Sequence, residues 1–253
     1  MQVCVLSSGS KGNCTYIETK EHKILIDVGT TCSYIEKSLK KINVLPQDID
    51  IILITHAHID HVAGLKVFSK KYHPRIFLTQ LILEEIKEQF DNINYIDEEL
   101  KIDDTKIIPI KTSHDTKDSN AYIIEEGLSS LVNITDTGYI NEKYYQLLKN
   151  RSIYVFESNH DVEMLMNNNH YPHHIKNRIM GDKGHLSNKD SAYYLSKFIG
   201  ENTKKIILAH LSEQNNTEEL ALSTLQNTLQ KKDIKFKNIE IAKQNEQTEL
   251  FKI

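Results

Sequence analysis

The segment from Thr55 to His61 concentrates side chains that can bind metal ions. It reads THAHIDH and places the imidazoles of His56, His58 and His61 beside the carboxylate of Asp60. Imidazole nitrogen and carboxylate oxygen are ligands that zinc and the neighbouring divalent metals accept. His56 and His58 are two residues apart, so in an extended segment their side chains lie on one side. The segment predicts a metal site; the competing interpretation is a polar loop with incidental histidines.

Apolar patterns on both sides indicate the elements that position this segment. A strand pattern over residues 48–55 runs directly into the histidines, and a helical pattern, VAGLKVFSKKY, follows them. The order of elements predicts an α/β (α+β) protein with two packed sheets and outer helices, a four-layer αββα sandwich. Other strand patterns are VCVLSS, TYIE, KILIDVG, RIFL, KIIPIK, NAYIIE, SLVNIT, SIYVFE and KKIILAH, and other helical patterns cover 33–42, 141–149, 161–167, 173–180, 188–199 and 217–232.

Length and charge limit the domain organisation and the partners. The chain has 253 residues with only 4 Pro and 9 Gly, and no stretch has the composition of a linker. We therefore expect a single compact domain over residues 1–253. The net charge of −4 excludes a global basic field, so a nucleic acid would have to bind through a local patch or through metal ions.

Cysteine usage and the N-terminal sequence indicate a compartment. The three cysteines, Cys4, Cys14 and Cys32, are an odd number without metal-type spacing. The beginning of the chain lacks the basic and apolar regions of a signal peptide, and no apolar run approaches the ~18 residues of a membrane span. These features predict a cytoplasmic protein with free thiols and no membrane association.

The His-x-His-x-Asp-His pattern resembles the signature of the metallo-β-lactamase superfamily. Four further residues match the rest of that family's motif set in the right order, each at the point where an apolar strand pattern stops. The resemblance covers nearly the whole chain and implies the metallo-β-lactamase fold. The four residues are Asp27, His114, Asp136 and His210.

This resemblance implies a binuclear metal centre. Two divalent ions, bound by five neutral histidines and two aspartates, carry a net positive charge that suits an anionic substrate and lowers the pKa of bound water toward ~7. Nitrogen and oxygen ligands permit Zn²⁺ or Mn²⁺. Asp27 orients the histidine-rich loop from outside the ligand set. The resemblance assigns His56, His58 and His114 to one ion, Asp60, His61 and His210 to the other, and Asp136 as the bridge.

Three further stretches make the chain similar to the WalJ/YycJ family within this superfamily, whose members are associated with 5′→3′ exonuclease activity on DNA. They are SSGSKGNC over residues 7–14, FESNHD over 156–161 and GHLSN over 184–188. The first stretch is either a plain tight turn or a loop that binds the substrate backbone. The resemblance implies a nucleic acid, and DNA in particular, as the partner.

The second half of the chain also resembles ribonuclease Z, in which a Glu pairs with a His that serves the scissile phosphate. Glu157 and His185 occupy those positions, so we expect catalytic roles for both, beside Asp60. Asn159 and His160 are candidates for the substrate cleft. Ser187 or Asn188 is predicted to cap a helix whose N-terminus favours a phosphate, and Ser187 is a further substrate-binding candidate.

The sequence thus predicts a metal-dependent phosphodiesterase, a 5′→3′ DNA exonuclease that uses a metal-bridging hydroxide. The alternatives are hydrolysis of RNA or a small phosphodiester, hydrolysis of a thioester, lactone or β-lactam on the same scaffold, and a regulatory protein with a structural metal. The chain is too short for the inserted domain of large RNA-processing relatives and has no evident flexible arm like that of ribonuclease Z, so we expect neither of those RNA substrates. Four basic residues surround GHLSN: Lys176, Arg178, Lys183 and Lys189. They form either a local basic patch that binds a polyanion or an ordinary solvent-exposed face.

Overall fold

The computed structural model describes all residues from 1 to 253. Fourteen strands form two seven-stranded sheets, accompanied by nine α-helices. The predicted combination of two sheets with helices is confirmed. The chain divides into two compact units, the first comprising 1–111, 116–129 and 243–253, and the second 112–115 and 130–242.

One sheet lies entirely within the first unit. Its central strands are parallel, with Ile26 opposite Leu53 and Leu53 opposite Phe77. Because the carboxyl ends of parallel strands meet at one edge, residues that follow these strands lie close together. In spatial order the strands are β14 (Phe251–Lys252), β1 (Gln2–Ser7), β2 (Cys14–Glu18), β3 (Lys23–Ile26), β4 (Ile51–Leu53), β5 (Arg75–Leu78) and β6 (Ile93–Tyr95).

Helices cover this sheet and bury its apolar side chains. Ile35, Leu39 and Phe68 from the helices pack in one buried cluster with Leu25 and Ile52 from the strands. Side-chain oxygens at Thr31 and Thr79 accept backbone N–H groups and so begin two of the helices. The helices are α1 (Cys32–Lys41), α2 (Ile59–Val62), α3 (Leu65–Tyr72) and α4 (Gln80–Ile86).

Two predicted elements of the first unit differ in extent. The strand pattern over 48–55 gives only β4, because residues Pro46–Asp48 form a 3₁₀ turn before it. The helical pattern after the histidines is divided into α2 and α3 at Gly64, whose N–H donates to Val28 O instead of continuing one helix. The unit also contains an antiparallel set of strands, β7 (Leu100–Ile102), β8 (Thr105–Lys111) and β9 (Asn120–Glu126).

The second unit is built on parallel strands. Glu157 pairs in register with Ala209 of the neighbouring strand, so the residues that end or follow these strands share one edge. The strands are β10 (Ser129–Ile134), β11 (Ile153–Glu157), β12 (Lys205–Ala209) and β13 (Ile239–Ile241), and the helices are α5 (Tyr145–Leu148), α6 (Val162–Asn167), α7 (His173–Met180), α8 (Asn188–Phe198) and α9 (Glu218–Lys231).

Helix boundaries in the second unit agree closely with the sequence patterns. The predicted helix over 173–180 is α7, and Ser187 caps α8 by accepting the N–H of Asp190. The pattern over 141–149 gives a 3₁₀ turn followed by the short α5. No helix is both long and apolar enough to cross a bilayer. All three cysteines are free and buried.

Candidate functional site

The histidine-rich loop of the first unit leaves the carboxyl end of β4 and enters α2. His56 and His61 are fully buried, whereas 17 % of the Asp60 side chain is exposed. The ring centroid of His56 lies 4.0 Å from that of His61 and 4.8 Å from that of His58. The structure thus packs the three imidazoles of THAHIDH against one another at the edge of the sheet.

Asp27, which follows β3 at the same edge, holds this loop from beneath. Its Oδ2 accepts from the Nδ1 of His61 at 2.7 Å and from the hydroxyl of Thr55 at 2.9 Å, and its Oδ1 accepts the Thr55 N–H at 2.8 Å. Thr55 Oγ1 also lies 2.9 Å from Nδ1 of His56. Both imidazoles therefore have Nδ1 engaged and Nε2 available for an ion, the arrangement that orients metal-binding histidines.

We expect Asp27→Asn to weaken metal binding without unfolding the protein. Asp27 has φ 61°, a left-handed conformation that asparagine tolerates well. An amide at position 27 would donate toward the Nδ1 of His61, so the ring proton would move to Nε2, the atom needed for an ion. Metal affinity, measured by calorimetry, should fall roughly 10–100-fold while the melting temperature stays close to that of the wild type.

Asp27→Ala is the contrasting variant. It leaves three buried donors without their acceptor and places alanine in a left-handed conformation, so we expect a loss of about 3 kcal/mol in unfolding free energy. Equal metal affinity in Asp27→Asn and the wild type would show that the Asp27 carboxylate does not orient His61.

Asn13, in the loop after β1, contacts the same ligand atoms, a role that sequence analysis missed. Its Nδ2 lies 3.0 Å from Nε2 of His61 and 3.3 Å from Oδ2 of Asp60. Its Oδ1 accepts the N–H of Gly9, and its own N–H donates to Asp60 O. His61 Nε2 and Asp60 Oδ2 thus both point toward the Asn13 amide group. Two acceptor atoms that converge in this way could also bind a cation.

The stretch SSGSKGNC is a closed turn that presents Asn13. The N–H groups of residues 8, 9, 11, 12 and 13 all donate to acceptors of the protein itself, which favours the turn interpretation over a loop that binds substrate through its backbone. The turn lies so close to the loop after β3 that a Cβ on Gly29 would stand 2.6 Å from Asn13 N. It would also stand 1.7 Å from Asp60 O, so only glycine fits there.

In the second unit, Asp136 lies between two histidines. Its Oδ1 is 3.5 Å from Nε2 of His210 and 3.8 Å from Nε2 of His114. Nδ1 of His114 lies 3.2 Å from Gly184 O, and burial lowers the pKa of His114, so its ring is neutral, the form in which imidazole binds metals. Asp136 and His210 follow β10 and β12 in left-handed conformations, with φ 56° and 55°. Such backbone conformations are uncommon outside glycine and cluster at functional sites.

Glu157, the last residue of β11, is a buried carboxylate with four donors. Its Oε1 accepts from Nδ1 of His185 at 2.8 Å and from Nδ1 of His210 at 2.9 Å. Its Oε2 accepts the N–H groups of Thr137 and Leu186. Burial alone would raise the pKa of Glu157, but the imidazoles of His185 and His210 outweigh it, and the pKa lies at about 2.

The donor chemistry of both units fits divalent ions. Asp136, Glu157, His185 and His210 place one ligand atom each within 4.8 Å of the others. Because Glu157 already accepts four N–H groups, the atoms of the second unit that suit an ion are the Asp136 carboxylate and the Nε2 atoms of His114 and His210. Neutral imidazole and carboxylate are ligands for zinc and manganese.

The predicted substrate contacts lie mostly below the surface. Asn159 donates to His210 O at 2.9 Å, and the Ser187 hydroxyl donates to Asp190 at the start of α8. His160 is 1 % exposed, and burial lowers its pKa to about 4. The side chains of Asn159 and Ser187 are buried and form hydrogen bonds within the protein, so they stabilise the segments that carry the site residues. That Asn159, His160 and Ser187 contact substrate stays a prediction.

Buried amides connect the GHLSN stretch to Asn216, which follows β12. The Ser158 hydroxyl donates to Oδ1 of Asn188 at 2.7 Å, and Nδ2 of Asn188 donates to Oδ1 of Asn216 at 2.8 Å. Nδ2 of Asn216 donates back to Ser158 O at 2.8 Å. This network ties the start of α8 to the end of β11 and thereby fixes the segment that carries His185.

The basic patch predicted around GHLSN is smaller than its sequence suggests. Lys176 is buried, with its Nζ donating to Met166 O at 2.6 Å, and Arg178 is paired with Asp115. Lys183 and Lys189 are exposed and can still contact a polyanion. The patch is smaller because α7 is amphipathic and Lys176 lies on its buried face.

Comparisons with known proteins agree with this geometry. Residues 8–141 match the model of the metallo-beta-lactamase superfamily. The chain is 37% identical over 246 residues to "Exodeoxyribonuclease WalJ" of Streptococcus pneumoniae serotype 2, covering 91% of this chain and 88% of the relative. It is 35% identical over 235 residues to "Exodeoxyribonuclease YycJ" of Bacillus anthracis, covering 90% and 89%.

A solved structure shows the same fold at low identity. The metallo-beta-lactamase fold protein YhfI from Bacillus subtilis superposes with a TM-score of 0.72 at 16% identity, covering 98% of each chain. Membership of this superfamily implies binding of divalent metal, for which the histidine and aspartate clusters described above are candidate sites. The chain therefore belongs to the metallo-β-lactamase superfamily of metal-dependent hydrolases and, within it, to the WalJ/YycJ family.

Proposed function

We propose that the protein is a metal-dependent 5′→3′ DNA exonuclease. The observation that carries the proposal is the hydrogen bond between Glu157 and His185 beside Asp136, since the metal ligands are also found in relatives that cleave other bonds. Two relatives that are 35–37% identical over most of their length carry the name exodeoxyribonuclease, which supports DNA as the substrate.

We propose further that the chain acts as one hydrolase domain over residues 1–253 and binds two divalent ions, Zn²⁺ or Mn²⁺. When bound, such ions would neutralise phosphate charge and supply a nucleophile at neutral pH. The ligands proposed for them are His56, His58, Asp60, His61, His114, Asp136 and His210.

His185 has the position for a group that acts on the phosphate. Its Nδ1 donates to Glu157, which leaves Nε2 as the ring atom that can face a substrate, and 21% of its side chain is exposed. Glu157 fixes the ring because it accepts from the ring and also from the backbone N–H groups of Thr137 and Leu186. A carboxylate-oriented imidazole can bind a phosphate oxygen or protonate a leaving oxygen as charge develops there.

The cytoplasm is the proposed compartment. Three buried cysteines that form no disulfide fit a reducing environment.

A substrate panel tests the proposal against other hydrolase chemistries. We expect the manganese- or zinc-loaded protein to cleave a phosphodiester reporter and single-stranded DNA, and to leave a thioester and a cephalosporin intact. Addition of EDTA should abolish the activity, and Mn²⁺ or Zn²⁺ should restore it, because the ligand set binds divalent cations. Turnover of the thioester or the cephalosporin without turnover of DNA would assign the site to a different branch of the superfamily.

A further inference from the structure

A surface of the second unit combines tyrosine rings with lysines, and the function proposed above does not use it. Nζ of Lys197 lies 4.3 Å from the ring centroid of Tyr193 and 5.1 Å from that of Tyr145. Nζ of Lys232, which ends α9, lies 5.4 Å from the Tyr193 ring. Tyr193 is 45% exposed although it is a large aromatic residue. We refer to Tyr145, Tyr193, Lys197 and Lys232 as the Tyr–Lys surface.

The lysines of this surface have no acidic partner. No carboxylate lies within 4.0 Å of Nζ of Lys197 or Lys232, whereas many other lysines of the chain form ion pairs. Lys143 adds a further unpaired cation nearby in sequence, over the ring of Tyr144 at 4.8 Å. Nζ of Lys232 donates to the Ser196 hydroxyl at 2.7 Å. Lysines without a carboxylate partner, in a chain whose net charge is −4, are complementary to a polyanion.

The surface lies on the same helix that begins next to His185. Ser187 caps α8, and Tyr193 and Lys197 are four residues apart, on one face of the helix. With a rise of 1.5 Å per residue they lie about 8 Å and 14 Å along the helix axis from its first residue.

A second connection joins this helix to the loop of Asp136. The Tyr194 hydroxyl accepts the N–H of Ile140 at 3.2 Å. Tyr139, which precedes Ile140 in the chain, is 42% exposed. Exposed tyrosines thus lie both beside the Asp136 loop and further along α8.

We propose that the Tyr–Lys surface binds the single-stranded DNA that extends from the scissile phosphate. Exposed rings can stack on bases of any sequence, and lysines between them can bind the backbone, which is how proteins bind single strands without sequence preference. The inference rests on the proposed function, because it assigns the path of that function's substrate. A processive or semi-processive exonuclease needs such a surface, since it must keep hold of the strand after each cleavage.

Steady-state kinetics on a dT20 oligonucleotide, compared with bis(4-nitrophenyl) phosphate, test this inference. We expect Tyr193→Ala to raise KM for dT20 by about fivefold to 100-fold, the usual effect of losing one stacked base, with kcat nearly unchanged. Tyr193→Phe keeps the ring and should behave like the wild type. Hydrolysis of the small diester, which cannot reach the surface, should be equal in all three proteins.

The lysines are tested by salt dependence. For the double variant Lys197→Ala/Lys232→Ala, the slope of log(kcat/KM) against log[salt] on dT20 should decrease in magnitude by about 1.4, the contribution of two phosphate contacts on a single strand. Matched controls carry the same changes elsewhere: Tyr95→Ala on β6, where the ring is 58% exposed, and Lys20→Ala, whose side chain is 75% exposed. Both controls should match the wild type in KM and in salt slope.

Three outcomes would overturn the inference. The first is wild-type KM and salt slope for the surface variants while DNA is degraded normally. The second is an equal change in the Tyr95 and Lys20 controls. The third is a dimeric wild type that becomes monomeric in the Tyr193→Ala variant, which would make the surface an interface between copies of the chain. Failure of the proposed function looks different, because the wild type would then cleave the small diester but not dT20.

Discussion

Asp60→Ala should lower kcat on single-stranded DNA by roughly 10³-fold, since a metal ligand contributes several kcal/mol of transition-state stabilisation. The fold should survive, because Asp60 lies in the first turn of α2, where alanine adopts the backbone conformation without strain. Its carboxylate contacts Asn13 and His61. Circular dichroism should give a melting temperature near that of the wild type, and elemental analysis should show less than the wild-type metal content.

A matched control for this variant is Asp48→Ala. Asp48 belongs to the same unit and contacts Lys23 at 3.2 Å on the surface. We expect wild-type activity and metal content for the control. Undiminished turnover in Asp60→Ala would exclude Asp60 from the metal centre and would require a different ligand set.

His185→Ala should lower kcat and kcat/KM together by roughly 10²–10⁴-fold, the range for a positioned acid or base. The metal content should not change, because Nδ1 of His185 donates to Glu157 and the residue is not among the proposed ligands. Glu157→Gln should cause a smaller loss in the same direction. The double variant should retain more activity than the product of the two losses predicts, because the two side chains act as a unit.

Rates and metal content of these variants separate the possible roles of His185. Loss of metal in His185→Ala would make it a ligand, which the proximity of its Nδ1 to Asp136 at 3.8 Å also permits. An unchanged rate would reduce His185 to a residue at a helix start. Strictly multiplicative losses in the double variant would show that Glu157 acts independently, through His210, from which it also accepts a hydrogen bond.

The ligand types could be predicted from sequence because the histidine-rich segment is local. Four potential ligands lie within six residues after one buried strand, so their chemistry is visible without a structure. Asp136 and His210 could be placed because each follows an apolar strand, and the parallel pairing of β10, β11 and β12 brings such positions to one edge. Ser187 as a helix cap followed from its own chemistry.

Contacts between distant segments could not be predicted in the same way. Asn13 is 48 residues before His61, and nothing in the stretch SSGSKGNC reveals which acceptors its amide meets. Thr55 lies within the THAHIDH segment, but the role of its hydroxyl depends on a hydrogen bond to Asp27, which is 28 residues earlier in the chain. The position of Asn159 in the sequence likewise does not reveal that its amide donates to His210 O.

Short, half-buried elements also escaped the sequence patterns. The strands β6, β7 and β13 have three residues each, with few fully buried positions, so no alternation of apolar residues identifies them. Helix α4 follows strand β5 in the stretch RIFLTQLILEEI, where only Thr79 and Gln80 separate two apolar runs, so the N-cap that Thr79 forms is not evident from the pattern. For the long, capped helices α8 and α9, the sequence patterns over 188–199 and 217–232 agree with the structure within one residue at each end.

The most direct measurement of the central claim is a time course of single-stranded DNA digestion with label at either end. With Mn²⁺ or Zn²⁺, we predict that a 5′ label appears at once in the shortest products, while a 3′-labelled strand shortens gradually. Neither change should occur in the presence of EDTA or with the Asp60→Ala variant. The account would be contradicted by metal-loaded protein that leaves both labelled strands intact, or by cuts inside a circular single strand that has no ends.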